Sequence, residues 1–289
     1  MANTEFERFL EEKLKEDRGL LVPIKASLFE LMFVKKADAD QLHPNPEDEF
    51  CNPDIGPNHE IVSQYRKMIT RPRPLEEPPW EEPLTVEKVH PDGYMILNGH
   101  HRWAAAMQTA YSPIKIAIVN LTHEKDIERM VSQSTHDRRV TLDLDELAFC
   151  TGEDVPAEKP LPFPLNMMYK ERIRQGVPAL LRFFGKQGYD VWVYTSKYRS
   201  IEYIRAYFRH YFVKVDGIVT GYGRSASMTG EELWKAKDLI AGRYKETLHI
   251  DLNAILRTHS GSRDFEEYPV ETQGAGWSGA VMDIVRGLK

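Results

Sequence analysis

Two groups of residues along the chain have types and spacings suited to chemistry on phosphate. In VTLDLDEL an apolar run ends on Asp143 and Asp145. Carboxylates two positions apart on an extended segment point the same way. One can attack phosphorus while the other acts as acid and base. Further along, YDVWVYTS ends on Thr195, whose hydroxyl can hydrogen-bond a phosphoryl oxygen. WKAKDLI supplies Lys235 and Lys237, either able to balance phosphate charge. LHIDLN ends on Asp251, a hard oxygen ligand for magnesium.

The second group lies in ILNGHHRWAAA, a glycine turn between a strand and a helix. Free backbone N–H groups at a helix start attract anions. Gly99 permits a close backbone approach, and Arg102 can grip phosphate oxygens with parallel donors. His100 and His101 add donors that are charged or neutral near pH 7.

These residues must be held by regular elements. Phe6, Phe9, Leu10 and Leu14 recur at helical spacing, and Thr4 with Glu7 fits a capping box. Short apolar runs over 20–34 read as strands. Residues 37–83 are rich in Pro, Asp and Glu and read as loops, with a short helix near Ile61–Ile69. Strands are expected at 84–89, 94–97 and 113–121, around a helix at 101–110. Residues 122–138 are charged and helical in pattern.

The second half opens with the strand 140–142 and a Pro-rich excursion over 148–166. Helix follows over 167–186, its second part started by Pro178. Strands at 190–194 and 247–250 alternate with helices, which argues for a parallel sheet covered on both faces. Residues 258–277 read as a polar, Gly-rich tail before a last helix at 279–286. The strand ends bearing Asp143, Thr195 and Asp251 are where open parallel sheets bind ligands.

The chain has 289 residues, 42% hydrophobic and 28% charged, enough for two domains with their own cores. A net charge of −6 disfavours a nucleic-acid partner. Two distant cysteines, Cys51 and Cys150, fit a reducing, cytoplasmic compartment. No apolar run approaches the ~20 residues that span a bilayer, so no membrane partner is expected. Oligomeric state is not encoded in any pattern found here.

HPNPEDEF together with EPLTVEKVHPDGYMILNGHHRWAAA resembles the ParB/sulfiredoxin superfamily over residues 25–125. The resemblance implies an α+β domain that binds a nucleotide (ATP, ADP or CTP) or a phosphorylated ligand at Gly99, His100, His101 and Arg102. His100 stands where sulfiredoxins carry their catalytic cysteine, which excludes sulfinate reduction. No helix-turn-helix follows, which argues against chromosome partition. A small-molecule kinase role is the alternative, with Glu47, Asp48 or Glu49 as base or metal ligand.

Residues 139–257 are similar to the haloacid dehalogenase superfamily, with a Rossmann-like parallel sheet. The similarity implies a magnesium-dependent phosphohydrolase or phosphotransferase acting through an aspartyl-phosphate. Asp143 would be the nucleophile and Asp145 the acid and base. Thr195 and Lys237 would bind phosphate, with Lys235 the other choice of lysine. Asp143, the Asp145 carbonyl and Asp251 would hold magnesium. Leu147 stands where the family usually has Thr or Val, and Leu252 where a second acid is usual. These departures leave a ligand-sensing regulator as a further alternative. The expected organisation is an α/β chain of two domains, 1–125 and 139–289, joined by a connector over 126–138. The expected ligand is a small phosphorylated metabolite or nucleotide.

Overall fold

The computed structural model describes residues 3–74, 77–150, 152, 155–223, 230–262 and 264–288. The chain divides into two compact units, Met1–Asn120 and Leu121–Lys289.

In the first unit, helix α1 (Asn3–Asp17) precedes strand β1 (Val22–Pro23), helix α2 (Leu28–Phe33), and strands β2 (Lys36–Ala37) and β3 (Leu42–Pro44). The expected Thr4 cap of α1 lies outside the described side chains. Residues 28–33 were expected as strand and are helical. Ser27 accepts a hydrogen bond from the Glu30 N–H, and the Glu30 carboxylate accepts from the Ser27 N–H. This reciprocal cap outweighs the apolar run.

Helix α3 (His59–Thr70), strands β4 (Leu84–His90) and β5 (Tyr94–Asn98), helix α4 (His100–Thr109) and strand β6 (Ile114–Ile118) complete the unit. The sheet runs β2-β6-β4-β5-β3, with β1 added against β4. Leu84 and Val86 alternate toward a core shared with Phe6, Phe50, Trp103, Ile114 and Ile116. Ala104, Ala105 and Ala106 are fully buried, and such small side chains let α4 sit close to the sheet.

The second unit begins with helix α5 (Glu124–Ser132) and strand β7 (Arg138–Asp143). A π-helical turn, Leu144–Ala148, follows directly. Helices α6 (Leu165–Met168) and α7 (Val177–Lys186), strand β8 (Tyr189–Thr195), helix α8 (Ile201–His210) and strand β9 (Gly217–Thr220) come next. Helix α9 (Gly230–Arg243), strands β10 (Glu246–Ile250), β11 (Ala254–His259) and β12 (Phe265–Pro269), and helix α10 (Trp277–Gly287) close the chain.

The sheet order is β12-β11-β10-β7-β8-β9. Strands β10, β7, β8 and β9 are mutually parallel, whereas β11 and β12 are added antiparallel. The sheet is therefore mixed, and the expected tail holds an edge hairpin. That hairpin was hidden because β12 is largely exposed and polar, so it lacks a one-sided apolar pattern.

The period of two sorts β7 between two faces. Val140 and Leu142 join the main core with Leu180, Phe184, Ile204 and Trp277. Val191 and Val193 of β8 face the same way. On the other face Trp192 packs with Ile127 and Met130 of α5, Val219, Ala236 of α9, and Tyr244. The segment expected as a connector thus supplies α5 to the second unit's smaller core. Among the described residues, no helix is long and apolar enough to cross a membrane.

Candidate functional site

Parallel pairing fixes which strand ends meet. Asp143 is in register with Tyr194 of β8, and Leu142 with Ile250 of β10. The ends carrying Asp143, Thr195 and Asp251 therefore lie side by side, with Asp143 in the centre.

Asp143 caps the π-helical turn. Its Oδ1 accepts from the N–H groups of Asp145 at 2.7 Å and Glu146 at 2.8 Å. Its Oδ2 has no hydrogen bond among the described residues. One oxygen is thus anchored by two backbone donors. Single π-helical turns are rare and often sit at functional sites.

Asp145 leans toward β8. Its Oδ2 accepts from Thr195 Oγ1 at 2.8 Å, Ser196 N at 2.9 Å and Ser196 Oγ at 3.1 Å. Its Oδ1 is buried without a hydrogen bond among the described residues, and Lys197 Nζ approaches it at 3.8 Å. Thr195 is fully buried, and its Oγ1 also accepts from the Lys197 N–H at 3.1 Å. The hydroxyl expected on a phosphoryl oxygen is here bonded to Asp145. Ser196 and Lys197 went unnoticed in the sequence because only the turn after β8 brings them to that carboxylate.

Asp251 is exposed, and its Oδ1 accepts from the Leu252 N–H at 2.6 Å. Among the described residues, no group of three or more His, Cys, Asp or Glu side chains is disposed to hold a metal.

The two lysines separate. Lys237 lines a cavity of about 620 Å³ that Asp143 also lines. Lys235 is exposed and pairs with Glu231 at 3.1 Å, one helical turn away. Of the two, Lys237 is the one on the Asp143 side.

In the first unit, Gly99 takes φ +108° and begins α4. A Cβ there would meet Leu84 Cγ at 2.8 Å and Arg102 Nη2 at 3.0 Å. Only glycine fits both the backbone angle and the space. Arg102 is buried, and its Nη1 donates to the Glu82 and Pro83 carbonyls.

The histidines act as acceptors. His100 Nε2 accepts from the Asn45 N–H at 3.2 Å, and His101 Nε2 from the Asn58 N–H at 3.1 Å. His100 Nδ1 faces Asp48 Oδ2 at 3.6 Å, and its ring stacks on Phe50. Burial pushes the His100 pKa down to about 4, against a smaller opposing pull from Asp48. Burial lowers that of His101 as well. Both shifts favour the neutral ring, in keeping with each Nε2 accepting a backbone N–H. Asp48 caps the turn at Phe50, while Glu47 and Glu49 are exposed.

Residues 78–135 match the family model of the ParB N-terminal domain. The match covers β4, β5, α4 and β6 and runs on through α5. The ParB-like part of the resemblance is thereby supported. No curated protein and no solved structure matches the chain.

Proposed function

We propose that the second unit is a magnesium-dependent phosphohydrolase or phosphotransferase of the haloacid dehalogenase type, acting through a phosphoryl group on Asp143. The observation that carries this reading is the state of that carboxylate. Two backbone N–H groups fix one oxygen, and the other stands free at the central strand end. A carboxylate so held is preorganised for attack, because little orientation remains to be lost. Lys237, along the same cavity, balances charge on the phosphoryl group.

Asp145 has a buried oxygen with no hydrogen bond, suited to carrying a proton to a leaving group. Its other oxygen, held by Thr195 and Ser196, keeps the side chain in place. An ion that arrives with phosphate and keeps several waters, as magnesium does, needs only a few protein oxygens. Asp143, the Asp145 carbonyl and Asp251 would hold it, and it would neutralise phosphate charge.

The phosphoryl step is tested by acid-quenching the protein with a reactive phosphoester and locating the adduct by peptide mass spectrometry. A phosphoryl group on the peptide containing Asp143, absent in Asp143→Asn, is expected. Adducts elsewhere, with Asp143 unmodified, would refute the assignment.

For the first unit we propose recognition of a nucleotide (ATP, ADP or CTP) or a phosphorylated metabolite at the start of α4. Its support is the left-handed Gly99 and a first turn that has no side-chain cap among the described residues. A kinase role there is favoured less, since Arg102 is bonded to carbonyls and Glu47 and Glu49 face solvent. One observation favours a ligand-sensing regulator instead of an enzyme: the Thr195 hydroxyl is already bonded to Asp145. That reading predicts calorimetric binding of phosphorylated ligands with no turnover.

A further inference from the structure

Arg139 lies on the same face of β7 as Thr141 and Asp143, and all three line the 620 Å³ cavity. It is 9% exposed. Its Nε donates to Thr247 Oγ1 at 3.2 Å and its Nη1 to the Tyr194 hydroxyl at 3.0 Å. The guanidinium carbon lies 5.7 Å from the Trp192 ring centre and 5.5 Å from that of Tyr244. Every one of these partners is neutral. Among the described residues no carboxylate pairs with Arg139, and Nη2 makes no hydrogen bond.

A buried charge normally has an opposite charge beside it, because desolvation is otherwise uncompensated. A guanidinium has five donors in a planar fork, and among the described residues two are used. The other walls are mixed. Thr141, Thr247 and Thr258 are polar, while Leu233 and Ile240 are apolar. A cavity of this size and make-up suits a small organic ligand.

We propose that this cavity seats the distal end of the substrate, and that the substrate carries a second oxyanion, which Arg139 binds. The inference rests on the reading that Asp143 handles the phosphoryl end. Arg139 and Asp143 are four residues apart on one strand, about 13 Å between backbones. The Arg139 fork reaches the hydroxyl of Tyr194, the strand partner of Asp143. A two-ended ligand shorter than that separation, such as one with a chain of about six carbons, is therefore the probe of choice. Carboxylate and phosphate would both fit the fork, and the test separates them.

The test is calorimetry on the full-length protein with magnesium, using three non-hydrolysable probes. These are hexylphosphonate, 6-phosphonohexanoate and hexane-1,6-bisphosphonate. The expected result is at least tenfold tighter binding of one or both two-ended probes than of hexylphosphonate. The favoured probe identifies the distal group. In Arg139→Gln that preference is expected to vanish while hexylphosphonate binding stays. Arg139→Lys, which keeps the charge but not the fork, is expected to retain only part of it.

Equal binding of all three probes by the wild type would overturn the proposal, and this comparison needs no variant to fold. A preference that survives in folded Arg139→Gln would also overturn it. The two readings fail separately. Turnover of phosphoesters without distal preference would remove only the anion pocket. Arg139-dependent preference without any turnover would remove only the phosphoryl-transfer reading.

Discussion

At the scale of single residues, backbone geometry and burial decide what a side chain can do. Gly99→Ala places a Cβ at φ +108° and within 2.8 Å of Leu84. The expected loss is more than about 1 kcal/mol of stability, measured by urea unfolding. An unchanged midpoint would show that the turn relaxes freely. His100 gives a pH signature. Its folded pKa of about 4 lies below the ordinary 6.5, so folding favours the neutral ring. The resulting stability is present in full above pH 6.5 and is lost as the pH falls toward 4. The span is on the order of 3 kcal/mol. Unfolding curves across pH 4–7 should show this loss in wild type and a smaller one in His100→Gln. Parallel acid limbs would place the effect elsewhere.

At the scale of elements, Asp143 has two separable jobs. Its Oδ1 caps the π-helical turn, and in the proposed function its Oδ2 would be the reactive atom. Asp143→Asn keeps an amide oxygen for the cap. Asp143→Ala removes the cap as well, and should be less stable than Asp143→Asn by about 1 kcal/mol. Equal melting midpoints for the two variants would mean that the turn does not depend on its cap. The strand–turn–strand–helix over 84–110 was legible in the sequence, because apolar alternation, the turn at Asp92-Gly93 and the Ala-rich helix agree. Strand ends bearing Asp143, Thr195 and Asp251 were legible because each closes a mainly apolar run, as strands buried on both faces do. The hairpin over 254–269 was not, since an exposed edge strand carries no alternation. The acceptor roles of His100 and His101 were not legible either. They depend on the backbone of Asn45 and Asn58, more than forty positions away. Arg139 could have been found by carrying the period of two back from Asp143 through Thr141.

At the scale of the whole molecule, each core is closed within its own unit. The first core draws on residues from Phe6 to Ile118, and the other two on residues from Ile127 onward. Each unit therefore has the apolar core that independent folding requires. Expressed separately, Met1–Asn120 and Leu121–Lys289 should each unfold in one cooperative transition by circular dichroism. A fragment that stays molten would show that its core is incomplete alone. The division also lets the two proposed functions be assigned, with nucleotide binding expected in the first fragment and phosphoester chemistry in the second.

Whether Asp143 performs the proposed phosphoryl chemistry is decided by phosphate release. Wild type and Asp143→Asn would be compared on a panel of phosphomonoesters with magnesium, after equal melting midpoints confirm that both are folded. Release by wild type and a loss of at least about a hundredfold in the variant are expected. Equal rates in the two proteins, or no release by wild type from any ester, would contradict it.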